Sequence, residues 1–205
     1  MKMSCNFLLA GVGGQGTILA SNVLADVALR VGLDVKKSEV HGMAQRGGSV
    51  VSGVRFGDKV YSPLIPAGEA DFLVAAEKLE ALRYQDQLRP EGVIIVNDME
   101  VYPLAVSLGT ATYPAEIIAR LRASQHPVHV VEALSLARKT GNPRTMNLVL
   151  LGVLSRFLPL SRITWENTIA ARVPPKTLED NLTAFNLGRA VLQQDSLTAA
   201  ANRVR

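Results

Sequence analysis

Apolar positions along this chain fall into short solid runs separated by stretches with helical spacing. Residues 6–10 are mostly apolar and stop at Gly11, the pattern of a buried strand. In 17–31, Ile18, Val23, Leu24, Val27 and Ala28 recur at intervals that predict a helix. Residues 33–39 predict a second strand and the Val-rich 49–56 a third. Gly57-Asp58 separates that run from 59–62, so the two together predict a hairpin, ended by Pro63 and Pro66. Residues 71–75 predict another buried strand, with a helix over 77–88 behind it. The run Gly-Val-Ile-Ile-Val-Asn at 92–97 is the clearest parallel strand, and it puts Asn97 and Asp98 at its carboxyl end, where open α/β sheets place ligands. A helix over 114–124, with Pro near its first turn, and a strand over 128–131 complete the alternation.

Beyond Glu132 the pattern becomes wholly helical. A short helix over 132–140 stops at Gly141, and Asn142-Pro143 opens another over 144–157 as N-cap and first-turn proline. Asn147 is the polar exception inside that apolar helix, and a hydrogen bond to neighbouring backbone is expected of it. Thr164 is the expected cap of a helix over 165–172. Pro174-Pro175 opens a last helix with Leu178, Leu182, Phe185, Val191 and Leu192 near one face. The expected fold is α/β: a three-layer, doubly wound mixed sheet with an inserted β-hairpin and a helical C-terminal third. One domain is expected over 1–194, with a flexible tail at 195–205.

Composition narrows the function classes. A chain of 205 residues that is 48% hydrophobic and 20% charged has enough apolar material for a core without covalent staples. The single cysteine, Cys5, excludes an internal disulfide and a self-contained iron–sulfur cluster, which takes four thiolates, so the expected compartment is the reducing cytoplasm. Net charge is +4, but the basic residues are scattered and form no run of the kind a nucleic-acid binder carries. The longest apolar run, near 148–154, falls far short of the ~20 residues a membrane-spanning helix needs. His126 and His129 flank Pro127 with no cysteine or acidic cluster nearby, so no metal site is predicted.

Two glycine-rich segments carry the candidate chemistry. In the first, Gly11, Gly13, Gly14, Gln15 and Gly16 lie between the first strand and the first helix. Such a turn brings backbone N–H groups to a helix start, a place for phosphate. The spacing also satisfies the dinucleotide-binding pattern, which wants an acidic residue near the end of the second strand. Glu39 stands there, a few positions late. Close helix–strand packing, phosphate contact and nucleotide binding all remain open for this loop, and a stand-alone nucleotide- or flavin-binding Rossmann-like module is the alternative reading. In the second segment, 38–52, neither flanking strand explains the middle. His41, Gln45 and Arg46 are polar, while Gly42, Gly47 and Gly48 leave room for a ligand to approach backbone. Arg46 in particular suits bidentate contact with phosphate or carboxylate.

No nucleophile elbow, Walker loop, zinc-protease word or thiamine-type Gly-Asp-Gly signature occurs, so the chain has no complete catalytic constellation. The words Gly11-Val12-Gly13-Gly14-Gln15-Gly16, Glu39-Val40-His41-Gly42-Met43-Ala44-Gln45-Arg46-Gly47-Gly48 and Tyr61-Ser62-Pro63-Leu64-Ile65 together resemble the gamma-type subunit of 2-oxoacid:ferredoxin oxidoreductases. The likeness runs over about 6–194 and is greatest to the indolepyruvate branch, where this module is a separate beta chain. The resemblance implies a supporting subunit that helps enclose an active site. Its large alpha partner would carry thiamine diphosphate and 4Fe-4S clusters, and the complex would turn a 2-oxoacid and coenzyme A into an acyl-CoA with electrons passing to ferredoxin. It also implies that the 41–48 loop meets coenzyme A or thiamine diphosphate. One departure stands out: Gly53 occupies a position where the family pattern leads us to expect a larger polar residue, which bears on specificity for indolepyruvate.

Overall fold

The structure, a computed structural model, describes residues 4–41 and 47–201, the side chains of His41 and of 193–201 excepted. Six strands form one sheet: β1 (Cys5–Val12), β2 (Asp34–His41), β3 (Ser49–Gly57), β4 (Ala70–Ala75), β5 (Leu88–Asn97) and β6 (Val128–Val131), in the order β2-β3-β1-β4-β5-β6. β1, β4, β5 and β6 run parallel, and β3 lies antiparallel to both β1 and β2.

That order corrects one expectation. The antiparallel neighbours are β2 and β3, and residues 59–62 form no strand. Both edges of β3 are already paired, so no ladder is left for the following segment. Polar side chains hold that segment instead. Asp34 Oδ2 accepts from Val60 N at 2.9 Å, and Arg55 Nη1 donates to the carbonyls of Ser62 and Leu64. Two β-like runs flanking Gly-Asp look like a hairpin locally, but the pairing of β3 with β1 and β2 satisfies more backbone.

Among the described residues eight α-helices accompany the sheet: α1 (Thr17–Arg30), α2 (Lys78–Tyr84), α3 (Leu104–Ser107), α4 (Ile117–Arg122), α5 (Ala133–Arg138), α6 (Met146–Leu154), α7 (Arg162–Arg172) and α8 (Leu178–Ala201). Alternate strand residues face opposite ways. Phe7, Leu9, Val54, Phe72 and Ile95 pack against α1 and the C-terminal helices, while Ala10, Leu73, Ala75, Ile94 and Val96 pack against α2 and α4. This is the expected three-layer arrangement, with the helical third stacked on the α1 face.

Several boundaries moved for local reasons. α2 stops at Tyr84, where a 3₁₀ turn feeds β5, so that strand begins at Leu88 rather than Gly92. α4 begins only after Glu116, whose φ of 56° lies in the left-handed region, so Pro114 does not reach its first turn. α7 is capped by Ser161, whose Oγ accepts from Thr164 N at 3.1 Å; Thr164 is the donor in that cap, and Ser161 the residue that makes it. Asn142 caps a 3₁₀ turn, Pro143–Thr145, its Oδ1 accepting from Arg144 N at 3.2 Å, and that turn leads into α6, which begins at Met146 rather than Arg144. α8 runs on through Ala201, and residues 202–205 lie outside the described residues.

α6 and α8 pack backbone to backbone. A Cβ on Gly152 would sit 2.1 Å from the Phe185 carbonyl oxygen, and one on Gly188 would sit 2.0 Å from that of Val149. Only glycine allows this approach, which locks the helical third together and presents the start of α6 to the glycine loop.

Candidate functional site at the first glycine turn

β1 ends one residue before Gly13, and the chain must reverse to place α1 on the sheet. Gly14 and Gly16 do this with φ of 103° and 78°, conformations that side chains rarely adopt. Gly11 is not in the turn but in β1, paired with Val50. A Cβ there would come within 2.8 Å of Thr17 Oγ1, so this glycine serves close helix–strand packing. Gln15 closes the turn, its Oε1 accepting from Val12 N at 2.7 Å while its Nε2 reaches Met99 Sδ at 3.7 Å. Gly16 is the N-cap of α1 and offers no side chain to its first-turn amides. Those N–H groups therefore stay available at the positive end of a 14-residue helix.

The second glycine segment joins the first directly. Gly13 N donates to Gly48 O at 2.8 Å, and Gly47 N approaches Gly13 O at 3.5 Å. A cleft of about 440 Å³ opens beside this junction, lined by Val12, Gly13, Gly14, Gly16, Thr17, Ile18 and Val50. His41 pairs in register with Val50, which sets the end of β2 beside the cleft wall. Gln45 and Arg46 lie outside the described residues. Uncapped amides, apolar walls and close backbone suit an anionic group attached to a less polar body.

The same junction bears on nucleotide binding. With β3 inserted between β1 and β2, the end of β2 is two strands, roughly 10 Å, from the glycine turn. Glu39 is moreover paired with Lys37 at 2.5 Å. The acidic ribose contact of a dinucleotide site is therefore not beside this loop.

Residues 6–191 match the family of pyruvate ferredoxin/flavodoxin oxidoreductases. The chain belongs to that family. It is 42% identical over 188 residues to the indolepyruvate oxidoreductase subunit IorB of Thermococcus kodakarensis, covering 89% of this chain and 93% of the relative. Its identity to the IorB subunit of Archaeoglobus fulgidus is 41% over 190 residues, covering 91% and 94%. Among solved structures, the gamma subunit of a keto/oxoacid ferredoxin oxidoreductase from Geobacter sulfurreducens matches with a TM-score of 0.68 at 25% identity, over 90% of this chain and 95% of that one. A 2-oxoglutarate:ferredoxin oxidoreductase chain from Magnetococcus marinus has the same fold with a TM-score of 0.75 at 21% identity. There the match spans 95% of this chain and 32% of the other. The chain is thus an oxidoreductase subunit of the pyruvate ferredoxin/flavodoxin oxidoreductase family, and these matches give no support to a stand-alone nucleotide or flavin module.

Not every polar residue expected at the strand ends faces a ligand in this family member. Asn97 is fully buried and structural: its Nδ2 donates to Ala76 O at 3.1 Å and its Oδ1 accepts from Ala133 N at 2.9 Å. Asp98 pairs with Lys78 at 3.0 Å. Gly53 lies on the opposite sheet face from the cleft. A Cβ there would meet Ser38 Oγ at 2.7 Å, with Ile65 Cδ1 in ordinary contact at 3.5 Å, so the Ser38 hydroxyl occupies the space a larger residue would enter. Among the described residues no His, Cys, Asp or Glu cluster could hold a metal ion, and no helix is long and apolar enough to cross a membrane.

Sequence reasoning missed a buried acidic network beneath the cleft. Glu77 caps α2, accepting from Glu80 N at 3.0 Å, from Val101 N at 3.2 Å and from Tyr113 Oη at 2.5 Å. Burial, and then the Glu77 carboxylate, push the Tyr113 hydroxyl well above its ordinary range, so it remains a donor. Glu80, 3% exposed, accepts from Ser49 Oγ and pairs with Arg83 at 3.4 Å; burial raises its carboxyl above the usual value. Both glutamates sit in the first turn of a predicted helix, where acidic residues are ordinarily read as exposed favourable charges. Only the tertiary fold distinguishes these two.

Proposed function

We propose that this chain is the small, gamma-type subunit of an indolepyruvate-like 2-oxoacid:ferredoxin oxidoreductase. In this reading the complex, working in the cytoplasm, oxidatively decarboxylates aryl 2-oxoacids to acyl-CoA and passes electrons to ferredoxin. Its large alpha subunit carries thiamine diphosphate and the 4Fe-4S clusters. The residues of this chain do not fit a cluster: it has one thiol, Cys5, and burial, followed by the adjacent Asp71 carboxylate, pushes that thiol up to about 12. No step of the chemistry is therefore assigned to these side chains. The role of the chain is to complete and shape a binding surface.

The observation that carries the reading is the backbone pairing of Gly13 with Gly48, which merges both glycine segments into one wall beside an uncapped helix start. His41, Gln45, Arg46, Gly47 and Gly48 form the ligand-contacting loop in this assignment, and Arg46 grips a phosphate or carboxylate of coenzyme A, thiamine diphosphate or the 2-oxoacid. The amides following Gly16 supply a second anion contact.

Reconstitution tests this assignment. The isolated chain is expected to be colourless and inactive. The chain purified with its large partner is expected to reduce a viologen dye only when indolepyruvate and coenzyme A are both present. Iron–sulfur absorbance or dye reduction by the chain alone would overturn the assignment, as would an assembled complex inert to every aryl 2-oxoacid.

A further inference from the structure

We propose that Glu80 is a positioning residue for the cleft, acting from the opposite face of the sheet through Ser49. The inference deepens the assignment above and rests on it only for its kinetic arm. Ser49 is the first residue of β3 and directly follows Gly48, whose carbonyl receives Gly13 N. The next residue, Val50, faces the other way and lines the cleft. Whatever fixes Ser49 therefore fixes the glycine junction on one side and a cleft wall on the other.

Two groups of α2 converge on that serine, and a third braces one of them. Glu80 Oε2 accepts the Ser49 hydroxyl, and Tyr84 Oη lies 3.3 Å from Ser49 Oγ. Arg83 Nε, on a half-exposed side chain, stands 3.4 Å from the other oxygen of Glu80. Glu80 is itself held at its backbone by Glu77, which also ties in Val101 and Tyr113. A carboxylate buried to this extent is costly unless hydrogen-bonded, and an apolar residue would be buried there more cheaply. Its use is the directional hold on Ser49. From Gly13 through Gly48, Ser49 and Glu80 to Glu77, one connected chain of bonds runs from the cleft to the first turn of α2.

The test is amide hydrogen exchange of the full chain, followed at Gly13 because that N–H crosses the junction. Glu80→Ala is expected to speed exchange at Gly13 and Val51 at least tenfold while core amides such as Ile95 and Leu148 change less than twofold. Glu80→Gln, which keeps an acceptor for the serine hydroxyl, is expected to restore most of the protection. Ser49→Ala is expected to match Glu80→Ala, with no further increase in the double variant. In the assembled enzyme Glu80→Ala is expected to raise the KM for the 2-oxoacid or coenzyme A at least fivefold with kcat within twofold, and Gln to reverse this. Uniform acceleration at all core amides, unchanged exchange at Gly13, or failure of Gln to rescue would each overturn the proposal. So would altered exchange with unaltered kinetics in an active complex. A complex inert to 2-oxoacids would count against the assigned reaction, while the exchange results would still decide for or against the hold on Ser49.

Discussion

Asn147, in the first turn of α6, donates from Nδ2 to the carbonyl oxygen of Gly16 at 2.9 Å, joining residues 131 positions apart. Its Oδ1 accepts from Leu148 N at 3.0 Å, and the residue is 3% exposed. The helical third of the chain therefore clamps the N-cap of α1, on the rim of the cleft. A Cβ on Gly16 would fall 2.6 Å from Asn147 Nδ2, so the two positions constrain each other.

Asn147→Ala removes one of two donors to the Gly16 carbonyl, which keeps Ala20 N at 3.1 Å, and opens a small void. A loss of about 0.5–1.5 kcal/mol is expected, the usual net worth of one hydrogen bond. Asn147→Asp keeps the volume but turns the donor into an acceptor against another acceptor, and should cost at least as much. Urea unfolding of both variants measures this. Wild-type stability in Asn147→Asp would show that the clamp contributes nothing.

The legible part of this clamp was its oddity. An amide within Met-Asn-Leu-Val-Leu-Leu is conspicuous in a sequence, and a bond to backbone was the natural expectation. Its partner could not be found that way, because α6 must first be stacked on the α1 face before Gly16 comes within reach. The same division recurs elsewhere. β6 and α1 could be read because runs and spacings are local properties. The place of β3 could not, because Gly57-Asp58 is a good local turn and the competing pairing with β1 joins partners as far apart as Cys5 and Phe56. The two glycine segments stood out individually, whereas their junction at Gly13 and Gly48 depends on that same β1–β3 pairing. Glu77 and Glu80 were hidden for the opposite reason: their sequence positions look ordinary for a helix start.

The α6–α8 crossing gives a prediction with a clear sign. In an isolated helix, glycine to alanine gains up to about 1 kcal/mol of propensity. At Gly152 and Gly188 the new methyl would lie 2.1 and 2.0 Å from backbone carbonyl oxygens, which cannot rotate away. Overpacking costs of ~3 kcal/mol should dominate. Either alanine variant is therefore expected to melt well below the wild type by calorimetry. A raised melting temperature would mean that the helices do not cross this closely.

Asp34 supplies a pH signature. Its hydrogen bond to Lys36, with further help from Val60 N, lowers its carboxyl from the ordinary 3.8 to about 2. Depressed in the folded state, it contributes stability that is present above pH 3.8 and lost as pH falls through about 2. Asp34→Asn is thus expected to be less stable than wild type at neutral pH, with the difference closing in strong acid. Parallel unfolding curves measured from pH 7 to pH 2 test the sign. A difference that is constant across that range would remove the charge from the account.

The most direct test of the ligand cleft uses Ile18, which is 43% exposed, lies in the first turn of α1 and lines the cleft. A carboxylate at that position favours the helix dipole and should stabilise the chain by about 0.3–1 kcal/mol. The same carboxylate would repel an anion bound by the first-turn amides. In the enzyme assembled with its large partner, Ile18→Glu is expected to raise the KM for the 2-oxoacid or coenzyme A about tenfold, equivalent to ~1.4 kcal/mol, with assembly intact and stability unchanged or higher. A complex that assembles normally and keeps wild-type KM values for both substrates would contradict the assignment of this cleft as the anion-facing surface of the subunit.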